Sequence, residues 1–172
     1  MINPNDIPKE LQAIEKFHAK DMLASKHFNE AEIIMPHEFR TKRRIEFADT
    51  DMAGIVHFAR FFIFMETAEH EFLRSLGASV ESKHDNLRLG WPRLAVSCEY
   101  LSPAKFEEVL DIHLMVARKG NKSMTYKFDF HRGETLIARG QVSAACCVFH
   151  PDGKLKAIPI PDFIASQIQE AP

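Results

Sequence analysis

The segment from about Phe58 to Leu76 is apolar round most of a helix, and that limits what this chain can fold into. Phe61, Met65, Ala68, Phe72 and Leu76 share one stripe at helical spacing, Phe62, Ile63, Phe64 and Leu73 lie off it, and Gly77 supplies a C-terminal stop. Such a helix is buried, so the rest of the chain must wrap it. The downstream sequence suits that task. "RLAVSCEYL", "EVLDIHLMVARK", "KSMTYKFDFHR" and "TLIARGQVSAACCVF" read as strands, separated by "SPAKFE", the Gly120-Asn121 pair and Gly133. Turns this short imply an antiparallel meander.

Upstream of the helix, "FRTKRRIEFA" reads as one more strand ending near Ala48. "SVESKHDNLRLGWP" reads as a polar loop, and "PDFIASQI" as a short closing helix started by Pro161 and Asp162. The order of strand, buried helix and four strands predicts an α+β fold, a strongly curved antiparallel sheet wrapped around one long central helix. Open sheet edges remain, and edge-to-edge pairing in a homodimer would remove one of them.

A length of 172 residues suits one domain, taken as residues 38 to 172, preceded by a helical extension over residues 1 to 37. In that extension Asn5 or Asp6 can cap a helix, Pro8 suits its first turn, and Ile7, Leu11, Ile14 and Phe17 recur at helical spacing. A net charge of -2 with scattered Lys and Arg offers no nucleic-acid footprint. Cys98, Cys146 and Cys147 form neither an even disulfide framework nor a C-x-x-C metal site, so they read as reduced thiols. No segment approaches the roughly 20 apolar residues of a membrane span, and the acidic N-terminus argues against a transit peptide. The expectation is a soluble, cytoplasmic protein.

Chemistry concentrates in "RIEFADTDMAGIVHFARFF", where Asp49 and Asp51 sit at the change from strand period to helix period. This stretch resembles the signature of the 4-hydroxybenzoyl-CoA thioesterase family of hotdog-fold acyl-CoA thioesterases. The match includes Arg44-Ile45, Asp49-Thr50-Asp51, Gly54-Ile55-Val56, Phe58 and Phe61 or Phe62, and it extends more weakly over about residues 40 to 165. By this resemblance the fold is a hotdog and the reaction is hydrolysis of a coenzyme A thioester, without metal or redox cofactor. Asp51 is then the nucleophile or general base, and backbone amides of Phe58 and His57 hold the oxyanion. Elementary chemistry agrees, because an unpaired helix N-terminus presents N–H groups and partial positive charge to an oxygen gaining negative charge.

The remaining candidates have supporting roles. Two carboxylates as close as Asp49 and Asp51 would repel, so Asp49 is expected to shape the loop through hydrogen bonds. Gly54 lets the backbone pass close to a ligand. Glu66 lies two turns into the helix, as a buried acid with a polar partner or as an alternative nucleophile. His57-Phe58 carries no phenol where the resembled family often has a tyrosine or histidine. Met52, Trp91 and Tyr100 are candidates for the acyl pocket. Arg118, Lys119 and Lys122 flank the Gly-Asn turn, where the resembled enzymes place contacts to coenzyme A phosphates. The implied assembly is a homodimer or homotetramer with sites between subunits. Competing readings are a hotdog hydratase or dehydratase, a non-catalytic acyl-CoA-binding module, and an interaction protein using the N-terminal helix.

Overall fold

The computed structural model describes residues 36–172. The helix expected within residues 1 to 37 lies outside the described residues. Strand β1 (Glu38–Arg44) alternates between outward Glu38, Arg40, Lys42 and Arg44 and inward Phe39, Thr41 and Arg43, which is the period of a half-buried strand. It pairs antiparallel with β5 (Val109–Lys119), which continues through hairpins into β6 (Ser123–Arg132) and β7 (Thr135–Ala145). Strand β4 (Arg93–Tyr100) joins the far side of β7, giving the order β1-β5-β6-β7-β4.

Helix α1 (Arg60–Ser75) lies across this sheet. Its Phe61, Phe64, Met65, Ala68 and Phe72 form one core with Leu110, Ile112 and Leu114 of β5 and with Met124, Tyr126, Phe128 and Phe130 of β6. At β7 a Cβ added to Gly140 would fall well inside van der Waals contact with the buried Met65 sulfur. A side chain at Gly140 would therefore require the Met65 side chain to shift.

Four details differ from the sequence expectation. Strand β1 stops at Arg44 instead of Ala48, because the chain folds into a 3-10 turn at Phe47–Asp49, with the Glu46 amide donating to Asp49 Oδ2 at 2.9 Å. The polar loop after α1 contains two short strands, β2 (Lys83–His84) and β3 (Leu87–Gly90). The last long strand breaks at Cys146, after which β8 (Cys147–Phe149) leaves the main sheet to pair with β3 and with β9 (Leu155–Ala157). Helix α1 is not enclosed all round, since Ile63 is 44% exposed and Glu66 is also exposed beside β4. A second short helix, α2 (Asp162–Ala165), starts at Pro161 as expected.

Edge strand β4 exposes apolar side chains as well, with Leu94, Val96 and Tyr100 all about half or more open. Among the described residues no helix is long and apolar enough to cross a membrane.

Candidate active site

The loop between β1 and α1 is a short hairpin tied to the loop after β4. Thr50 bridges Val56 and Ile55 bridges Lys105, while the Val56 amide donates to the Ala104 carbonyl at 2.8 Å. Within the hairpin the Asp51 amide donates to the Ile55 carbonyl (3.0 Å), and the Gly54 amide to the Asp51 carbonyl (2.9 Å). Gly54 closes this turn at φ +74, and a Cβ there would meet nothing within 4 Å. The turn thus requires glycine for its backbone conformation rather than for room. The Ala53 amide donates to Asp51 Oδ1 at 2.8 Å, an Asx-type bond that fixes the carboxylate over the turn while leaving it in solvent.

Asp49 and Asp51 are separated by environment. The Asp49 side chain is 1% exposed and is held by the Glu46 amide, by Arg60 Nε at 2.7 Å on Oδ1, and by Arg43 Nη2 at 3.8 Å from Oδ2. Its main-chain carbonyl accepts the His57 amide at 2.9 Å. That bond changes the expectation for His57: its N–H is already engaged by the loop and is not free for an oxyanion. Its ring lies tilted against that of Phe58 with centroids 4.5 Å apart, and Nδ1 accepts the Ala59 amide at 3.3 Å.

The Phe58 amide is an unengaged donor at this helix start, with no acceptor among the described residues. Its direction follows from the His57 carbonyl, which accepts the Arg60 amide at 2.8 Å. Across a trans peptide the N–H points opposite to that carbonyl, away from the helix. On the following peptide, the Phe58 carbonyl accepts the Tyr100 hydroxyl at 3.1 Å. Strand β4 thus brings a phenol to the Phe58 peptide.

Asp51, Val56, Phe58, Phe61, Tyr100 and Pro103 line one open cleft of about 350 Å³. Of the three acyl-pocket candidates only Tyr100 is there. Met52 is fully exposed and Trp91 is buried.

Glu66 is not the buried acid of α1. Its side chain is 49% exposed, 3.6 Å from Arg93 Nη2. The buried acid is Glu69, unexposed, with Oε2 at 2.6 Å from Arg93 Nη1 but out of line for a hydrogen bond. Burial, opposed by Arg93, pushes the Glu69 carboxyl up to about 7. Helical spacing places Glu69 next to the Met65 and Phe72 rows, the one signal that could have found it.

The hairpin cations are not brought to this cleft within one chain. Arg44 at the end of β1 faces Val109 at the start of β5, whereas the hairpin follows Lys119 at its other end, roughly 20 Å or more along the strand. Arg118 and Lys122 are exposed. Lys119 is otherwise engaged: its ammonium donates to the carbonyls of Ala165 (3.0 Å), the last residue of α2, and of Ile168 (2.6 Å) beyond it. A cation fastened there caps a helix end instead of meeting a phosphate.

The family model of the thioesterase-like superfamily matches residues 45–168. An Aquifex aeolicus relative is 32% identical over 121 residues, covering 70% of this chain and 91% of its own. Acyl-CoA thioesterase YbgC of Haemophilus influenzae is 25% identical over 118 residues, covering 69% of this chain and 85% of its own. Among solved structures, the gentisyl-coenzyme A thioesterase BH1999 superposes with a TM-score of 0.66 at 26% identity, covering 75% of this chain and 98% of that one. The fold is thus the hotdog type that the motif implied, and the chain belongs to the thioesterase-like superfamily.

Proposed function

We propose that this chain hydrolyses acyl-CoA thioesters with Asp51 as nucleophile or general base and the Phe58 amide as oxyanion donor. The observation that carries the reading is that Asp51 and Phe58 line one cleft at the start of α1, and that the Phe58 N–H has no acceptor among the described residues. Relatives named for coenzyme A thioester hydrolysis support it. As general base, Asp51 takes a proton from water, the hydroxide adds to the thioester carbonyl, the C–S bond breaks, and the proton passes from Asp51 to the leaving sulfur, so that coenzyme A departs as the thiol. As nucleophile, its carboxylate adds to the same carbon, coenzyme A leaves, and water opens the mixed anhydride. In both routes the charge developing on the carbonyl oxygen meets the Phe58 N–H at a helix start. Either route balances with water as the co-reactant.

The functional unit in this reading is a homodimer paired through β4. That strand is an edge with exposed Leu94 and Val96, and the adjoining Ile63 face of α1 is open. At its Arg93 end β4 lies near Ala144, which faces Met124 beside the Gly-Asn turn; its Tyr100 end lies at the Asp51 cleft. Two-fold antiparallel pairing of β4 would bring one chain's Tyr100 end to the other's Arg93 end. Arg118 and Lys122 of the second copy then approach the cleft of the first, where coenzyme A phosphates need cations. The free thiols of all three cysteines suit a cytoplasmic setting.

The test is thiol release from a panel of aromatic, short and long acyl-CoAs by the wild type and by Asp51→Asn. Turnover that disappears in a folded Asp51→Asn supports the assignment. Full turnover in that variant overturns it. Residues 1 to 37 precede the matched span, so a chain lacking residues 1 to 30 should keep substantial turnover.

A further inference from the structure

We infer that Arg60 is a positioning residue that aims the oxyanion donor, because it closes a ring of hydrogen bonds through Asp49 and His57 behind the Phe58 amide. The inference rests on the proposed role of that amide.

Arg60 occupies the first position of α1, where a cation opposes the helix's own partial positive charge. No acid in the first turn of the helix offsets it. Its partner is Asp49, eleven residues back and buried at 1% exposure, whose Oδ1 it reaches through Nε at 2.7 Å and through a closer Nη2 contact. Asp49 has little else of opposite charge. Arg43 stands off at 3.8 Å, with its guanidinium over the Phe64 ring. A carboxylate so enclosed needs a close cation, and Arg60 is that cation.

Three bonds then form a closed circuit. The Arg60 side chain holds the Asp49 carboxylate, the Asp49 carbonyl holds the His57 amide, and the His57 carbonyl holds the Arg60 amide. The Phe58 N–H belongs to the peptide whose carbonyl is the third of these, so its direction is set by the circuit. Arg60 does not line the cleft, and its effect on the reaction passes through this peptide. Removing the guanidinium frees the Asp49 turn, loosens the His57 amide, and lets the Phe58 donor swing away from the oxyanion position. Misplacing a donor by about 1 Å can cost roughly 100-fold in rate.

The experiment compares Arg60→Met, Arg60→Lys and Arg60→Ala in the whole chain, measuring kcat, KM and hydrogen exchange at the His57 amide. Because an unpaired Asp49 carboxylate could unfold the single variants, Arg60→Met is also combined with Asp49→Asn, which removes the buried charge. Expected is a fall in kcat of about 10-fold to 100-fold with KM within about threefold, and lost protection at His57. Added guanidinium should restore part of the rate to Arg60→Ala, and Arg60→Lys should retain more than Arg60→Met. Wild-type kcat in a folded Arg60→Met or in the double variant overturns the inference, as does a loss of kcat with His57 protection intact. Failure of the broader reading would show elsewhere, as full turnover in Asp51→Asn, while the exchange at His57 still reports on Arg60.

Discussion

Glu69 and Arg93 tie α1 to β4: the arginine Nη1 stands 2.6 Å from a carboxylate with no solvent exposure, while the arginine side chain itself is 29% exposed. The same guanidinium lies 3.6 Å from Glu66. One cation thus serves two acids on successive helix turns, and burial still raises the carboxyl of the enclosed one, Glu69, to about 7.

Stability should therefore fall as pH rises through this group's range. Burial lifts Glu69 from 4.5 to about 7, so between those values the folded chain keeps a proton that the unfolded chain has released. Stability from this group is intact below about pH 4.5 and declines until about pH 7, a total of roughly 3 kcal/mol. Glu69→Gln removes the titration, so the difference between its unfolding free energies at pH 5 and pH 8 should shrink by up to that amount. An unchanged difference in denaturant melts would show that the carboxylate is not the source.

Asp51→Asn should spare folding and acyl-CoA binding but lower kcat by about 100-fold to 10,000-fold, the usual cost of a lost general base. Glu66→Gln should cost less, since its side chain is half exposed and paired to Arg93. If Glu66→Gln is the more damaging change in steady-state assays, the helix carboxylate replaces the loop aspartate in the mechanism.

The turn cations should divide by role. Arg118→Ala with Lys122→Ala is expected to raise KM for acyl-CoA and not for a short thioester lacking the nucleotide, an effect that shrinks with added salt. Lys119→Met should instead lower stability by about 1 to 3 kcal/mol by uncapping the Ala165 and Ile168 carbonyls, with KM unchanged. A KM effect from Lys119→Met without loss of stability would return it to the phosphate site.

Gly140→Ala should destabilise by about 1 to 3 kcal/mol, because the added methyl meets the buried Met65 on a sheet that the helix already touches. Combining it with Met65→Ala should recover part of the loss, which thermal melts of the three variants would show.

The amino-acid order alone determined the element types and the motif. Helical spacing marked the buried stripe Phe61, Met65, Ala68 and Phe72, and period-two alternation with Gly120 and Gly133 marked the meander. These are local properties of the backbone period, so they can be read without contacts. The proposed roles of Asp51 and Phe58 come instead from the family resemblance that one short motif carries.

The tertiary structure decided which groups face one another. Tyr100 reaches Phe58 across 42 residues, and Lys119 reaches Ile168 across 49, which set one candidate at the cleft and tied another to the end of α2. Burial also chose Glu69 over Glu66 as the enclosed acid, because the sheet covers the Met65 and Phe72 side of α1 and leaves the Ile63 side open. Strand order and burial are set by packing between distant segments, and the side chains of a single helix turn do not encode which side will be covered.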